Sequence, residues 1–205
     1  MAQPVLLEPD PDNPAVLRPA DDTPPPAQAT PSSSPPTRPA GAQVHPSFAF
    51  MASHPAHAIA LGFGAGLSRV APGTVGTLWA WVAFGVLQPW LNDLQWAGFI
   101  GINLLLGWWA CTVTARHMGL PDSSHMVWDE VVAFWIVLWL VVPADFWAQL
   151  YAFALFRLFD AVKVGPMAWA DQHFKGFGPR GGFGVMLDDL AAAFCTLLVL
   201  AWWRF

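Results

Sequence analysis

The sequence predicts an all-α, multi-pass helical membrane protein with about four to five apolar helices behind a disordered Pro-rich N-terminal tail. Three observations carry that prediction. Apolar residues make up 55% of the 205 positions and charged residues only 11%, where a soluble domain carries about a quarter charged. Mean hydropathy is +0.43 although the opening stretch is polar and dilutes it. The 13 tryptophans fit a bilayer protein, whose indoles favour the two interfaces. The formal net charge is −5, and no basic patch is interleaved with aromatics, which argues against nucleic-acid binding. Cys111 and Cys195 stand far apart in apolar segments and read as packed thiols, with no disulfide or zinc framework.

Residues 1–55 form the tail, with runs such as PDPDNP and DDTPPPAQATPSSSPPTRP. Proline removes backbone donors, and the few large apolar groups do not offset the entropy of ordering. No basic start precedes an apolar core, so the tail is not a signal peptide. Residues 56–205 hold everything else. They open with HAIALGFGAGLSRVAPGTV, where Gly62, Gly64 and Gly66 match a dinucleotide fingerprint in part of its spacing only, without a βαβ unit around them. Pro72-Gly73-Thr74 reads as a turn with Thr74 as a candidate N-cap.

Four apolar blocks follow, over 75–91, 94–113, 127–156 and 185–203. A bilayer core of about 30 Å needs roughly 20 helical residues, and the first, second and fourth blocks read as long enough once interfacial ends are counted. The third breaks at Pro143 into about 127–142 and 146–159, each half short for a full span and readable as a shallow or re-entrant pair. Five segments bring Arg69, Arg116, Asp129, Glu130, Arg157, Asp160, Lys163, Lys175, Arg180, Asp188 and Asp189 to one face. The opposite face receives the turns around Asn92-Asp93 and Pro143–Asp145, with no Lys or Arg, and Arg204 near the C-terminus is the lone exception, so the positive-inside rule turns the charged face to the cytoplasm.

Three acidic clusters carry the chemistry. Asp129-Glu130 opens an apolar helix; the pair complements a helix N-terminus, but adjacent residues point about 100° apart, so one of them faces the bundle. Arg157, Asp160 and Lys163 recur every three residues on one helical face among Phe156, Leu158 and Phe159. Asp188-Asp189 stands at the mouth of the last apolar block. Oxygen ligands of this kind suit Mg²⁺, which takes one or two carboxylates with waters and phosphate oxygens. His117 and His173 read as lone surface histidines, and His125, close to Asp129, as a candidate proton donor. Gly176 to Gly184, with Lys175 and Arg180 beside it, reads either as an anion-cradling loop or as a plain linker. Ser68 and Thr74 are candidate phosphate donors.

Four stretches together, GFGAGLSRVAPGTVGTL (62–78), VWDEVVAFW (127–135), FRLFDAVKVGP (156–166) and GVMLDDLAA (184–192), resemble the phosphatidylglycerophosphatase A family. The resemblance spans about 57–205 and departs from the family at Val164, where proline is common after the lysine. It implies an Mg²⁺-dependent phosphatase of the bacterial inner membrane, multi-pass, with its active site facing the cytoplasm. Such an enzyme removes the terminal phosphate of phosphatidylglycerophosphate to give phosphatidylglycerol. Asp129, Glu130, Asp160, Asp188 and Asp189 then occupy the acidic catalytic and metal positions, and Lys163 the catalytic lysine. Arg157, Lys163, Arg180, Ser68 and Thr74 are the candidate phosphate contacts. Attack by water and a phospho-aspartyl intermediate both remain open, as does oligomeric state. The competing readings are a small ion-coupled membrane transporter, for which internal repeats and midplane acids are missing, and a membrane scaffold with a docking tail.

Overall fold

The computed structural model describes residues 46–162 and 176–204, together with two short strands at 7–10 and 13–19. The chain divides into two units, Met1–Ala42 and Gln43–Phe205. In the first, β1 (Leu7–Asp10) and β2 (Asn13–Pro19) pair antiparallel, with Glu8 opposite Arg18 and Pro9 opposite Leu17. This differs from the expectation of a tail without regular structure. In a two-stranded ladder both strands are edges, where proline's missing donor is tolerated. The second unit begins before the expected boundary at residue 55, because α1 (Phe48–Ala52) already belongs to it, started by Ser47 Oγ accepting from the Phe50 N–H at 3.1 Å.

The described residues of this unit are helical. After α1 come α2 (Pro55–Ala60), a 3-10 segment (Gly62–Leu67), α3 (Pro72–Leu87) and α4 (Asp93–Met118). Then follow α5 (Trp128–Val141), α6 (Phe146–Val162) and α7 (Pro179–Arg204). Local chemistry explains most boundaries. Asn92 and Gln95 form a capping box at the start of α4, and Gly119, at φ 68°, closes it in the left-handed conformation. Pro143 stops α5, and Asp145 Oδ1 accepts from the Ala148 N–H at 2.8 Å to start α6. The break inside the third block is therefore where the proline put it.

Among the described residues, two helices are long and apolar enough to cross a bilayer, α4 and residues Pro179–Trp203 of α7. The expectation of four to five spans is corrected: the first block forms a helix of 16 residues, about 24 Å at 1.5 Å per residue, because the chain turns at Gln88-Pro89. The fourth helix is longer than expected. It begins at Pro179 and takes in Gly181, Gly182 and Gly184, so the stretch read as a loop is mostly its first turns.

The centre of the unit is α5. Val131, Val132, Ala133, Phe134, Trp135, Val137 and Leu138 are all buried, and a helix apolar on every side belongs inside a bundle. Helices α3, α4, α6 and α7 pack around it. Tryptophan N–H groups tie the layer together: Trp135 Nε1 donates to Ala80 O at 2.9 Å, and Trp81 Nε1 to Gln149 Oε1 at 2.7 Å. The outer surface is also apolar, with Val82, Val86, Ile102, Leu105, Leu158 and Leu198 exposed. Such a surface is at home against acyl chains and aggregation-prone in water.

Candidate active site

At one end of the bundle the start of α5 meets the start of α3, the end of α6 and the third turn of α7. Glu130 lies in the first turn of α5 against Gly73 of α3; a Cβ added at Gly73 would fall 2.0 Å from Glu130 Oε1. Glycine is required there by close approach, and it leaves the carboxylate beside the first turn of α3, where backbone N–H groups lack helical partners. Arg157 Nη1 donates to Glu130 Oε1 at 3.1 Å and to Asp160 Oδ2 at 2.6 Å. The guanidinium thus bridges α5 and α6.

Asp189 completes the arrangement from α7, with its carboxyl group in hydrogen-bond contact with Asp160 and within electrostatic reach of Asp129 and Glu130. Asp129 is buried, its Oδ1 accepting from the Glu130 N–H at 3.0 Å. Carboxylates from three helices distant in sequence therefore share one volume, and among the described residues Arg157 is the cation in ion-pair contact with them. Holding like charges together out of water is costly. Asp188 is also buried, about 100° around the helix from Asp189. Neither acid of this pair is at a helix mouth, as the sequence reading had it: α7 starts at Pro179.

The remaining candidates divide. Lys163, Lys175 and His173 lie outside the described residues. Ser68 Oγ donates to Val70 O at 2.8 Å, and Arg180 is exposed in the first turn of α7. Thr74 is not the N-cap of α3. Ala71 holds that place at φ 47° with no side-chain cap, and Thr74 sits inside the first turn. His125 is buried, and its Nδ1–H donates to Gly66 O at 2.7 Å, which pins the 62–67 segment to the start of α5.

Two features escaped the sequence reading. Asp122, in the PDSS turn before α5, acts electrostatically on Asp129; its short polar turn just ahead of Asp129 was the available signal. His117 is not a lone surface group: its Nδ1 stands 2.7 Å from His57 Nε2. His57 Nδ1–H donates to Phe50 O at 2.9 Å, and burial lowers the His57 pKa below its ordinary value. This pair fastens α1 and α2 to the end of α4.

Among the described residues no group of three or more His, Cys, Asp or Glu is set to hold a metal on its own. The donor chemistry nevertheless fits a hard cation. Only carboxylate oxygens converge, and Mg²⁺ normally takes about one or two of them, with waters and phosphate oxygens completing its shell.

Comparison with known proteins finds a matching family and relatives that differ in the headgroup they are named for. The family described as phosphatidylglycerophosphatase A matches residues 58–204. Phosphatidylglycerophosphatase A of Escherichia coli is 35% identical over 149 residues, covering 72% of this chain and 83% of that protein. Phosphatidylglycerophosphatase A of Haemophilus influenzae is 38% identical over 148 residues, covering 72% of this chain and 87% of that protein. A putative phosphatidylinositol-3-phosphatase of Bacteroides thetaiotaomicron is 38% identical over 151 residues, covering 70% of this chain and 89% of that protein. No solved structure matches the chain.

Proposed function

The chain belongs to the phosphatidylglycerophosphatase A family, and we propose that it removes the terminal phosphate of phosphatidylglycerophosphate in a bacterial inner membrane, leaving phosphatidylglycerol and phosphate. The observation that carries this reading is the meeting of Asp129 and Glu130 on α5, Asp160 on α6 and Asp189 on α7. The two apolar helices α4 and α7 supply the membrane anchor, and the excess of Lys and Arg at the charged end turns the site to the cytoplasm.

In this reading one or two of the carboxylates of Asp129, Asp160 and Asp189 would hold Mg²⁺, which when bound would supply charge neutralisation at the phosphoryl group and acidify a water. The rest falls to the chain. Arg157, already between two carboxylates, presents its guanidinium to the phosphoryl group, where a fixed cation offsets the charge that develops as the ester bond breaks. Glu130, beside the first turn of α3, keeps Arg157 aimed. A carboxylate left unligated accepts a proton from the attacking group. Lys163 and Arg180 are further phosphate contacts, with Ser68 and Thr74 beside them. The apolar surface of α3 and α4 keeps the diacyl part of the substrate in the bilayer.

The test is phosphate release by the purified protein from phosphatidylglycerophosphate in detergent micelles, with and without EDTA and with Mg²⁺ added back. Release that needs Mg²⁺ is the expected result. Undiminished release in EDTA removes the metal from the proposal, and no release under any condition removes the activity. A phosphatidylinositol monophosphate offered in parallel measures headgroup selectivity.

A further inference from the structure

A groove of about 520 Å³ lies between α3 and α4, over α5. Its walls are apolar and aromatic: Trp79, Val82, Ala83 and Val86 on one side, Phe99 and Leu106 on the other. Its volume falls in the range of about 300–1,000 Å³ usual for ligand sites. Trp128 and Phe63 line it as well, their rings 5.6 Å apart, and Trp79 and Trp128 stand 5.8 Å apart.

Two facts set this groove apart from the rest of the apolar surface. It reaches the helix turn that carries the acid cluster, because Trp128 is the residue before Asp129. And the Trp128 indole N–H is buried with no hydrogen-bond partner among the described residues. A buried donor left unsatisfied costs free energy, so this end of the groove is suited to an acceptor from a ligand. The other polar lining side chain, Asn103, is already committed through its Nδ2–H to Phe99 O at 2.8 Å. The groove is therefore largely apolar along the walls of α3 and α4, with Trp128 at the start of α5 beside the carboxylates.

We propose that this groove is a subsite for one acyl chain of the diacyl phospholipid substrate, with the Trp128 N–H meeting the ester carbonyl at its inner end. The inference deepens the phosphatase reading and rests on it: the phosphomonoester sits among the acids, the ester linkage lies at Trp128, and the hydrocarbon runs between α3 and α4. Chain length is then read by the α3 wall, so that Ala83 and Val86 are specificity-determining positions.

Two measurements test it. The first compares kcat/KM for dioleoyl and dihexanoyl phosphatidylglycerophosphate in the unaltered protein, Ala83→Trp, Val86→Trp and the control Leu105→Trp, which alters an exposed α4 position outside the groove. The expected result is a fall of at least tenfold in the dioleoyl-to-dihexanoyl ratio for both groove variants, through KM, with the ratio unchanged in the control. Equal ratios in all four overturn the proposal. The second uses phosphatidylglycerophosphate bearing a diazirine near the end of one acyl chain, with adducts mapped by mass spectrometry. Adducts should concentrate at the groove wall, around Val82 and Leu106, and be chased by unlabelled substrate. Adducts spread equally over Ile102 and Leu198, and not chased, would mean bulk lipid contact only and sink the subsite. Because the second experiment reads position without turnover, it separates the two ideas: groove adducts without phosphate release leave the subsite standing and end the phosphatase reading.

Discussion

Asp129-Glu130 and Asp188-Asp189 look alike in sequence, each an adjacent acid pair ahead of an apolar run, yet the fold treats them differently. The first pair occupies the opening turn of α5, where a helix N-terminus favours negative charge. The second lies in the third turn of α7, past any such benefit. A dipole argument can account for the first pair as structural; it has nothing to offer the second. Asp189 stands buried in contact with Asp160 and near two other carboxylates, a placement that is hard to explain unless those oxygens have work to do on a ligand.

The largest test of that contrast is neutralisation. Asp189→Asn should lower phosphate release by at least about 10²-fold while leaving the melting temperature equal or higher, since one buried like charge is removed. Asp129→Asn should lower activity as much but gain less stability, because its helix-end benefit is lost with the charge. A drop in melting temperature for Asp189→Asn, with activity retained, would reverse the contrast. Next in size is Arg157→Ala. It leaves Glu130 and Asp160 facing each other half-buried, and should cost about 1–2 kcal/mol in denaturant unfolding, discounted for exposure, with activity down about tenfold or more.

Gly73→Ala sharpens the first pair alone. The new methyl would stand 2.0 Å from Glu130 Oε1, the far end of a flexible side chain, so the carboxylate moves and the helix does not. Activity should fall by about tenfold with little change in melting temperature. A smaller effect comes from His57, remote from both pairs. Its pKa is lowered in the fold from 6.5, so the unfolded chain holds a proton that the folded one sheds. Stability is therefore complete above about pH 6.5 and declines as pH falls through the lowered value; His57→Gln should flatten the pH dependence of the melting temperature. Least of all, removing residues 1–42 should leave turnover where it was.

Much of this arrangement was legible beforehand. Helices α4, α5 and α6 follow from Asn92, Pro143 and the apolar runs between them, and the grouping of Glu130, Arg157, Asp160 and Asp189 was expected, though from a count of five spans where two helices are long enough. What was not legible depends on backbone contact between distant segments. Glycines 181, 182 and 184 read as loop formers because single-residue propensity disfavours them in helices. In the fold they lie inside α7, with Gly182 against Thr112 of α4 and Gly181 against Gly176. Thr74 looked like a cap because hydroxyls usually are, but Ala71 turned the chain first. The reach of α3 was overestimated because periodicity does not say where Gln88-Pro89 will end a helix. His117 needed a partner sixty residues away in sequence, which no local pattern announces.

The bareness of Gly182 has a consequence beyond packing. A Cβ there would stand 2.2 Å from Thr112 Oγ1, so α7 rests on α4 with no side chain as a shim between them. Asp189 is two turns further along the same rod, about 10 Å away. The spacing of the carboxylates is therefore gauged at a place that touches neither phosphate nor lipid. One methyl group added at that fulcrum would be felt as a misaligned oxygen at the far end of the lever.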